Sequence, residues 1–257
     1  MARPLYLLSG GVFYGNMGIM KKLFFDIETI PAGESSHEAL RYLYERRCEK
    51  KMKEKNIDRE AAEMEVGSFE KFVDATGFDG TYGRVLCIAY AVNNDAIRCI
   101  CNPENEKKTL QDFWYVAGQC DQFIGHNIME FDLRFLLQRS MILGVKPTWT
   151  RFQEPGKKPW DMVKYLDFAR YKNLPIFDTM QEWSNWGSQK LGLEHIALAL
   201  GIPTPKEGID GSEVYNFYKA GKVDDICEYC KRDVDVTRAV YNRMVFADHD
   251  DVAFISE

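Results

Sequence analysis

The sequence predicts an α/β fold in which a mixed central β-sheet is flanked by helices, and three observations carry that prediction. Residues 23–31 (Leu-Phe-Phe-Asp-Ile-Glu-Thr-Ile-Pro) read as an apolar strand. Residues 84–92 (Arg-Val-Leu-Cys-Ile-Ala-Tyr-Ala-Val) read as a second, joined through Asn93, Asn94 and Asp95 to a partner strand over 96–101, which is a hairpin. Residues 106–118 then show helical spacing in Leu110, Phe113, Trp114 and Ala117 and lead into a short buried strand, Gln122-Phe123-Ile124-Gly125. A strand, a hairpin partner, a crossover helix and another strand give a mixed sheet covered by helices. At 257 residues, 46% hydrophobic and 28% charged, the chain is long enough for one large domain, or one domain plus an insertion.

The first strand ends in two carboxylates. Period-two geometry sets Asp26 and Glu28 on one face, where like charges repel unless something neutralises them. A divalent cation would do so, because hard cations take one or two protein carboxylates and leave room for water and phosphate oxygens. Alone the pair is weak evidence, since strand ends often carry acids. After Pro31 comes a charged segment over 35–65. Leu40, Leu43, Tyr44, Met52, Ile57 and Met64 are sparse among Arg41, Arg46, Arg47, Lys50, Lys51, Lys53, Lys55 and Arg59, so helices with a narrow buried stripe are expected. Its basic face suits a nucleic-acid backbone, or is simply a solvated surface.

Beyond the strand at 122–125, Phe131, Phe135 and Leu136 mark the buried stripe of a helix with Asp132 in its first turn. From there Asp132 can face the carboxyl end of the preceding strand and meet Asp26. Alternatively it only complements the helix dipole, and Asn127 is only an N-cap. His126 reads as a loop or buried polar histidine. Residues 144–174 dissolve into Pro, Gly, Trp and basic residues. Trp149, Lys157, Lys158 and Trp160 mix cation and aromatic as single-stranded nucleic acid prefers, although a surface loop with packed tryptophans reads equally well. Regular structure resumes at 176–180, and 191–200 is an amphipathic helix stopped by Gly201 and Pro203.

On the last helix, Tyr229 and Asp233 are four apart and share a face, whereas Asp235 lies about 200° away from Asp233. Cys227 and Cys230 form Cys-x-x-Cys, and with Cys99 and Cys101 they raise the idea of a zinc cluster. The two pairs differ in spacing, so buried thiols are the simpler reading.

Composition excludes several classes. No apolar run approaches the roughly 20 residues that span a bilayer. The seven cysteines are odd in number and fit reduced thiols in a cytoplasm. A net charge of −6 argues against holding nucleic acid by bulk electrostatics, but not against a local basic patch or a metal-assisted grip on phosphates. The expected organisation is a leader over 1–20, with Met20 as an alternative start, a single domain over 21–247 with an insertion at about 35–75, and an acidic tail over 248–257.

Taken together and in order, Asp26-Ile27-Glu28, Asn127-x-x-x-Phe131-Asp132 and Tyr229-x-x-x-Asp233 resemble the three exonuclease motifs of the DEDDy subgroup of DnaQ-like 3′-5′ exonucleases, in the ribonuclease H-like superfamily. The nearest likeness is to the predicted exonucleases related to the proofreading domain of family B DNA polymerases. Gly201-Ile202-Pro203 through Lys206 and Asp210-Gly211-Ser212 also resemble that group, and the likeness runs over roughly 22–244. It implies a ribonuclease H-like fold, two Mg²⁺ or Mn²⁺ ions, and release of nucleoside monophosphates from a 3′ end. By that resemblance Asp26, Glu28, Asp132 and Asp233 are metal ligands and Tyr229 orients the attacking water. Thr29, Ile30, Asn127 and Phe131 are substrate contacts. A sister subgroup would place histidine where this chain has Glu228. The implied partner is nucleic acid, single-stranded DNA ahead of RNA, with no membrane. No polymerase-sized region follows Asp233, so the chain is expected to act alone, as a homo-oligomer, or with a replication or repair partner. The competing expectation is a nucleic-acid-binding scaffold that keeps the fold and has lost catalysis. Asp178-Thr179 stands where similar enzymes often carry an acid at a helix start, as a site residue or as a simple cap.

Overall fold

The computed structural model describes residues 20–147, 175–204 and 209–247. Strands β1 (Lys22–Ile30), β2 (Arg84–Val92), β3 (Arg98–Cys101), β4 (Gln122–Gly125) and β5 (Ile176–Asp178) form one sheet in the order β3-β2-β1-β4-β5. The hairpin pairs β1 with β2 and β2 with β3 are antiparallel, while β4 and β5 run parallel to β1. The sheet is therefore mixed, as the alternation of hairpin and crossover requires. The helices are α1 (His37–Lys55), α2 (Arg59–Val66), α3 (Phe69–Asp74), α4 (Glu106–Ala117), α5 (Asp132–Leu143), α6 (Thr179–Trp183), α7 (Leu193–Ala199), α8 (Val214–Lys219) and α9 (Val223–Met244).

Strand periodicity divides the core in two. Leu23, Phe25 and Ile27 of β1 pack with Leu110, Phe113 and Trp114 of α4 and Leu133 and Leu136 of α5. Phe24 faces the other way, into a cluster with Leu86, Ile226, Val234 and Tyr241, beneath α9. Asp26 and Glu28 share the parity of Phe24. The α9 face of the sheet therefore turns from apolar to acidic along a single strand.

Two features fix the end of β1. The pairing of β1 with β2 slips at Glu28/Thr29: Glu28 stands opposite Cys87 and Thr29 opposite Val85, which leaves Leu86 as the extra residue. This is a bulge, and Leu86 and Cys87 both join the core under α9. Beyond it, Thr29 Oγ1 donates to Gly77 O at 2.6 Å and Thr76 Oγ1 accepts from Ala32 N at 2.9 Å, tying the strand to the turn at Ala75–Phe78. At the far end of the neighbouring strand, a Cβ on Gly125 would meet Phe25 O at 2.9 Å and Ile128 Cγ2 at 2.1 Å. Only glycine allows β4 to turn there against β1.

The segment between β1 and β2 is helical, with small apolar centres of its own: Leu40 and Val73 in one, Tyr44, Cys48 and Ala62 in another. Two expectations need correction. Leu43 and Met64 face solvent, because the buried stripe of α1 follows a four-residue step through Leu40, Tyr44 and Cys48, and α2 turns Ala62 inward instead. The hairpin's third strand begins at Arg98, not at 96, because Asn93 enters the left-handed region at φ 52° and the turn takes up the following residues. Residues 1–19 of the expected leader over 1–20, the Pro- and Trp-rich excursion with Trp149, Lys157, Lys158 and Trp160, Lys206 and the acidic tail over 248–257 lie outside the described residues. Among the described residues no helix is long and apolar enough to cross a membrane.

One buried ion pair locks α4, α5 and β2 together. Arg139 donates from Nε and Nη2 to the two oxygens of Glu106, both at 2.8 Å, and Glu106 also accepts from Val85 N at 2.8 Å. The two side chains are only 8% and 11% exposed. Removing one partner leaves the other charge buried and unpaired, so Arg139→Ala is expected to lower the unfolding free energy by about 3–5 kcal/mol. Denaturant unfolding would read this as a lower midpoint at unchanged slope.

Candidate active site

Three elements converge where β1 ends. β1 contributes Asp26 and Glu28, the amino end of α5 contributes Asp132, and α9 contributes Tyr229, Cys230 and Asp233. Asp132 is 2% exposed and Glu28 is 9% exposed. The Asp132 carboxylate accepts from Ile27 N at 3.1 Å, which clips α5 to β1 between the two strand acids. Tyr229 and Asp233 stand one turn apart on the same face of α9. A Cβ on Gly211 would lie 4.0 Å from the Tyr229 hydroxyl, so the turn at Gly211–Glu213 closes over the tyrosine.

Burial and mutual repulsion govern the electrostatics. Desolvation pushes Asp26 well above the usual carboxylate range, and the charges of Asp132, Glu28 and Asp233 add to it in that order. Glu28 rises from desolvation, then from Asp233 and Asp132. Desolvation takes Asp132 to about 8 and Asp233 to about 6. The Tyr229 hydroxyl is pushed far up by burial and by the charge of Asp233, which keeps it protonated. The four carboxylates therefore form one electrostatic unit with more negative charge than its surroundings solvate. A set of hard oxygen donors in that condition fits a divalent cation.

The loop before α5 is held by Asp178, whose fully buried carboxylate accepts from Asn127 N at 2.9 Å, Met129 N at 3.0 Å, Met180 N at 3.0 Å and Gln181 N at 3.3 Å. Of the two readings open for Asp178, the cap is the one observed, and it reaches further than a cap on α6 alone. Asn127 is not an N-cap either. It takes φ 62°, a left-handed conformation asparagine tolerates, and the residue capping α5 is Phe131. Asn127 Oδ1 is buried with no hydrogen-bond partner among the described residues. His126 is a half-buried loop histidine between Thr179 Oγ1 and Leu191 O, each at 3.0 Å, and desolvation lowers it to about 4. Asp235 and Glu228 point away from the site, in ion pairs with Arg238 at 2.9 Å and Lys231 at 2.7 Å.

Beside Glu28 opens a cavity of about 440 Å³, bordered by Thr29, Gly77, Phe131, Ser212, Tyr215 and Lys219 among others. Thr29 and Phe131, expected as substrate contacts, border it. Ile30 does not: its side chain is 1% exposed and packed in the core with Val214. Three features escaped sequence reasoning. Lys219 and Tyr215 of α8 carry no motif spacing to the acids, yet reach the cavity with Lys219 Nζ 4.6 Å from the Tyr215 ring. Cys230 lies against the acids, its Sγ 3.4 Å from Asp26 O and 3.5 Å from Asp26 Oδ2. The basic residues of the 35–65 segment are partly spent inside it: Arg41 stacks on Phe69 at 3.5 Å, and Arg59 bridges Glu45 and Glu63.

These shifts predict a pH dependence. A carboxyl whose folded pKa is raised stabilises the fold below its unfolded value and loses that contribution as pH rises through the folded value. His126, lowered, acts in the opposite sense and is neutral in both states above about pH 7. Metal-free protein should therefore lose thermal stability as pH rises from about 7 to about 8 and level off above that, once Asp132, raised to about 8, is ionised in both states. Mg²⁺ or Mn²⁺ should flatten the loss, and Asp26→Asn should raise the Tm of the metal-free protein at pH 8. Melting curves with EDTA or metal check all three.

Comparison with known proteins follows this geometry. A family model described as a predicted 3′-5′ exonuclease related to the exonuclease domain of PolB matches residues 81–250, about two thirds of the chain. That span holds Asp132, Tyr229 and Asp233, while Asp26 and Glu28 precede it. Among solved structures, the family B DNA polymerase from the hyperthermophilic archaeon Pyrobaculum calidifontis is similar at a TM-score of 0.56 and 16% identity. The match covers 92% of this chain and 26% of the polymerase chain. The chain thus spans about a quarter of the length of that relative, and the likeness carries the fold: a ribonuclease H-like mixed sheet flanked by helices. No curated protein matches.

Proposed function

Because the chain belongs to the family of predicted 3′-5′ exonucleases related to the exonuclease domain of PolB, we propose that it hydrolyses phosphodiester bonds from the 3′ end of nucleic acid, releasing nucleoside 5′-monophosphates. The observation that carries this reading is the electrostatic unit of Asp26, Glu28, Asp132 and Asp233 beside a cavity of nucleotide size. Exonuclease domains of this kind usually use divalent metals. In the proposal the four carboxylates hold two Mg²⁺ or Mn²⁺ ions. When bound, such a pair polarises the attacking water and stabilises both oxygens of an in-line displacement at phosphorus.

The chain's own residues do the rest. Tyr229, held protonated, is a hydrogen-bond donor and not a base, and its place one turn from Asp233 suits it to orient the water. Asp178 acts as a positioning residue: it holds the loop that presents Asp132. Phe131 and Tyr215 offer faces on which a terminal base can stack, and Lys219 offers a cation for a phosphate. Stacking of a splayed base favours a single strand, and we place DNA ahead of RNA as substrate. The paired charges of the helical segment between β1 and β2 fit a protein of net charge −6 that grips its substrate locally.

The test is digestion of 3′-labelled and 5′-labelled single-stranded DNA and RNA oligonucleotides with Mg²⁺ or Mn²⁺. We expect ladders that shorten from the 3′ end, stop with EDTA and disappear in Asp26→Ala. Tyr229→Phe should slow cleavage by about a hundredfold or more while keeping the metal-induced rise in Tm. Binding of oligonucleotide without cleavage in either metal would overturn the proposal in favour of a scaffold. Cleavage confined to RNA would reassign the substrate.

A further inference from the structure

Behind the carboxylates, on the same face of the sheet, five of the seven cysteines meet. Cys87 follows the bulge in β2 and is buried. Cys101 stands directly opposite it on β3, and Cys99 lies two residues earlier on the same face. From above, α9 lowers Cys227 and Cys230, three residues apart, onto these strands. The Sγ atoms of Cys87, Cys99 and Cys227 all lie within 4.8 Å of one another. Cys101 lies outside that set of three and stands beside it, at its register position opposite Cys87. Cys230 is turned to the other side, against Asp26.

Buried thiols as plain apolar filler, the simpler reading from spacing alone, do not account for this. A single free cysteine behaves as a small hydrophobe, but filler has no reason to bring five sulfurs from three elements to one seam. Three sulfurs within 4.8 Å of one another have the spacing of a ligand set rather than of filler. Thiolate is the form that binds metal.

We propose that Cys87, Cys99 and Cys227, joined by Cys101 from its place opposite Cys87, form a tetrahedral Zn²⁺ site that clamps α9 to the β2–β3 hairpin. Four sulfurs at about 2.3 Å from one ion require sulfur separations just under 4 Å, so the three gathered sulfurs draw closer on binding and Cys101 moves in to complete the set. Each ligating thiol gives its proton to solvent, with no change of oxidation state. Thiolate donors select zinc over Mg²⁺, whereas the carboxylates of the neighbouring site select the reverse, so the two centres sort their metals by donor type. Closed by four protein ligands, the site is structural. Its role is to fix the helix that carries Tyr229 and Asp233.

Metal analysis tests this independently of nuclease activity. The full chain, produced in zinc-supplemented medium without a histidine tag and passed through gel filtration, should carry one zinc per chain. Asp26→Asn and Cys48→Ser, a cysteine of the helical segment remote from the seam, should keep it. Cys99→Ser and Cys227→Ser should lose it while circular dichroism shows the fold retained. Cobalt(II) added to metal-free wild-type protein should give the intense near-ultraviolet absorption of thiolate ligation, a readout that does not depend on any variant folding. Folded wild-type protein with neither zinc nor thiolate–cobalt absorption would overturn the proposal. So would zinc retained in both variants, iron with sulfide in place of zinc, or a disulfide among these cysteines found by mass spectrometry.

Discussion

Carboxylates crowded where water is scarce repel one another, and much of this molecule is arranged around that repulsion. Asp26, Glu28, Asp132 and Asp233 come from three separate elements, and each is pushed upward first by desolvation. A fold does not gather such groups for its own stability, because every one of them costs free energy when ionised. The cost is tolerable only if cations neutralise the cluster or protons do. This ties the architecture of the site to the chemistry proposed for it.

The surrounding structure holds the acids against that repulsion. The bulge opposite Glu28 breaks the β1–β2 ladder where the site begins, as bulges near functional sites do. Asp178 gathers four backbone N–H groups and fixes the loop leading to Asp132, and the Asp132 carboxylate itself clips onto Ile27 N. The Arg139–Glu106 pair anchors α5, the helix that presents Asp132, to α4 and β2. On the opposite face, α9 lies over small residues, Ala89 and Ala91 among them, and over the cysteines, so the helix sits close to the sheet. A zinc clamp in that seam would add metal–thiolate bonds to the packing that positions Tyr229 and Asp233.

In the proposed function, substrate discrimination falls to elements around this frame. The turn at Ala75–Phe78, the cap residue Phe131 and helix α8 enclose the cavity next to Glu28 from three sides. Two of these three lie outside any motif. In the proposed function, strand preference falls to these borders and not to the acids.

What the sequence determined by itself was whatever depends on local periodicity. Alternation in β1 set Asp26 and Glu28 on one face. The four-residue step in α9 joined Tyr229 to Asp233 and turned Asp235 out. Helical spacing at 106–118 between strand patterns made the sheet mixed. Only the tertiary structure decided which partners those faces meet. Asp178 became the holder of the Asp132 loop, Ile30 went into the core, Leu43 and Met64 turned outward, and Lys219 reached the cavity from a helix without a motif. The cysteines show the division most clearly. Spacing kept Cys99 and Cys101 apart from Cys227 and Cys230 and gave Cys87 no role, because a strand register, a bulge and a helix-on-sheet contact had to be combined before the five sulfurs came together. Period and spacing are written in the chain; contact between distant segments is decided by packing, and only folding makes it visible.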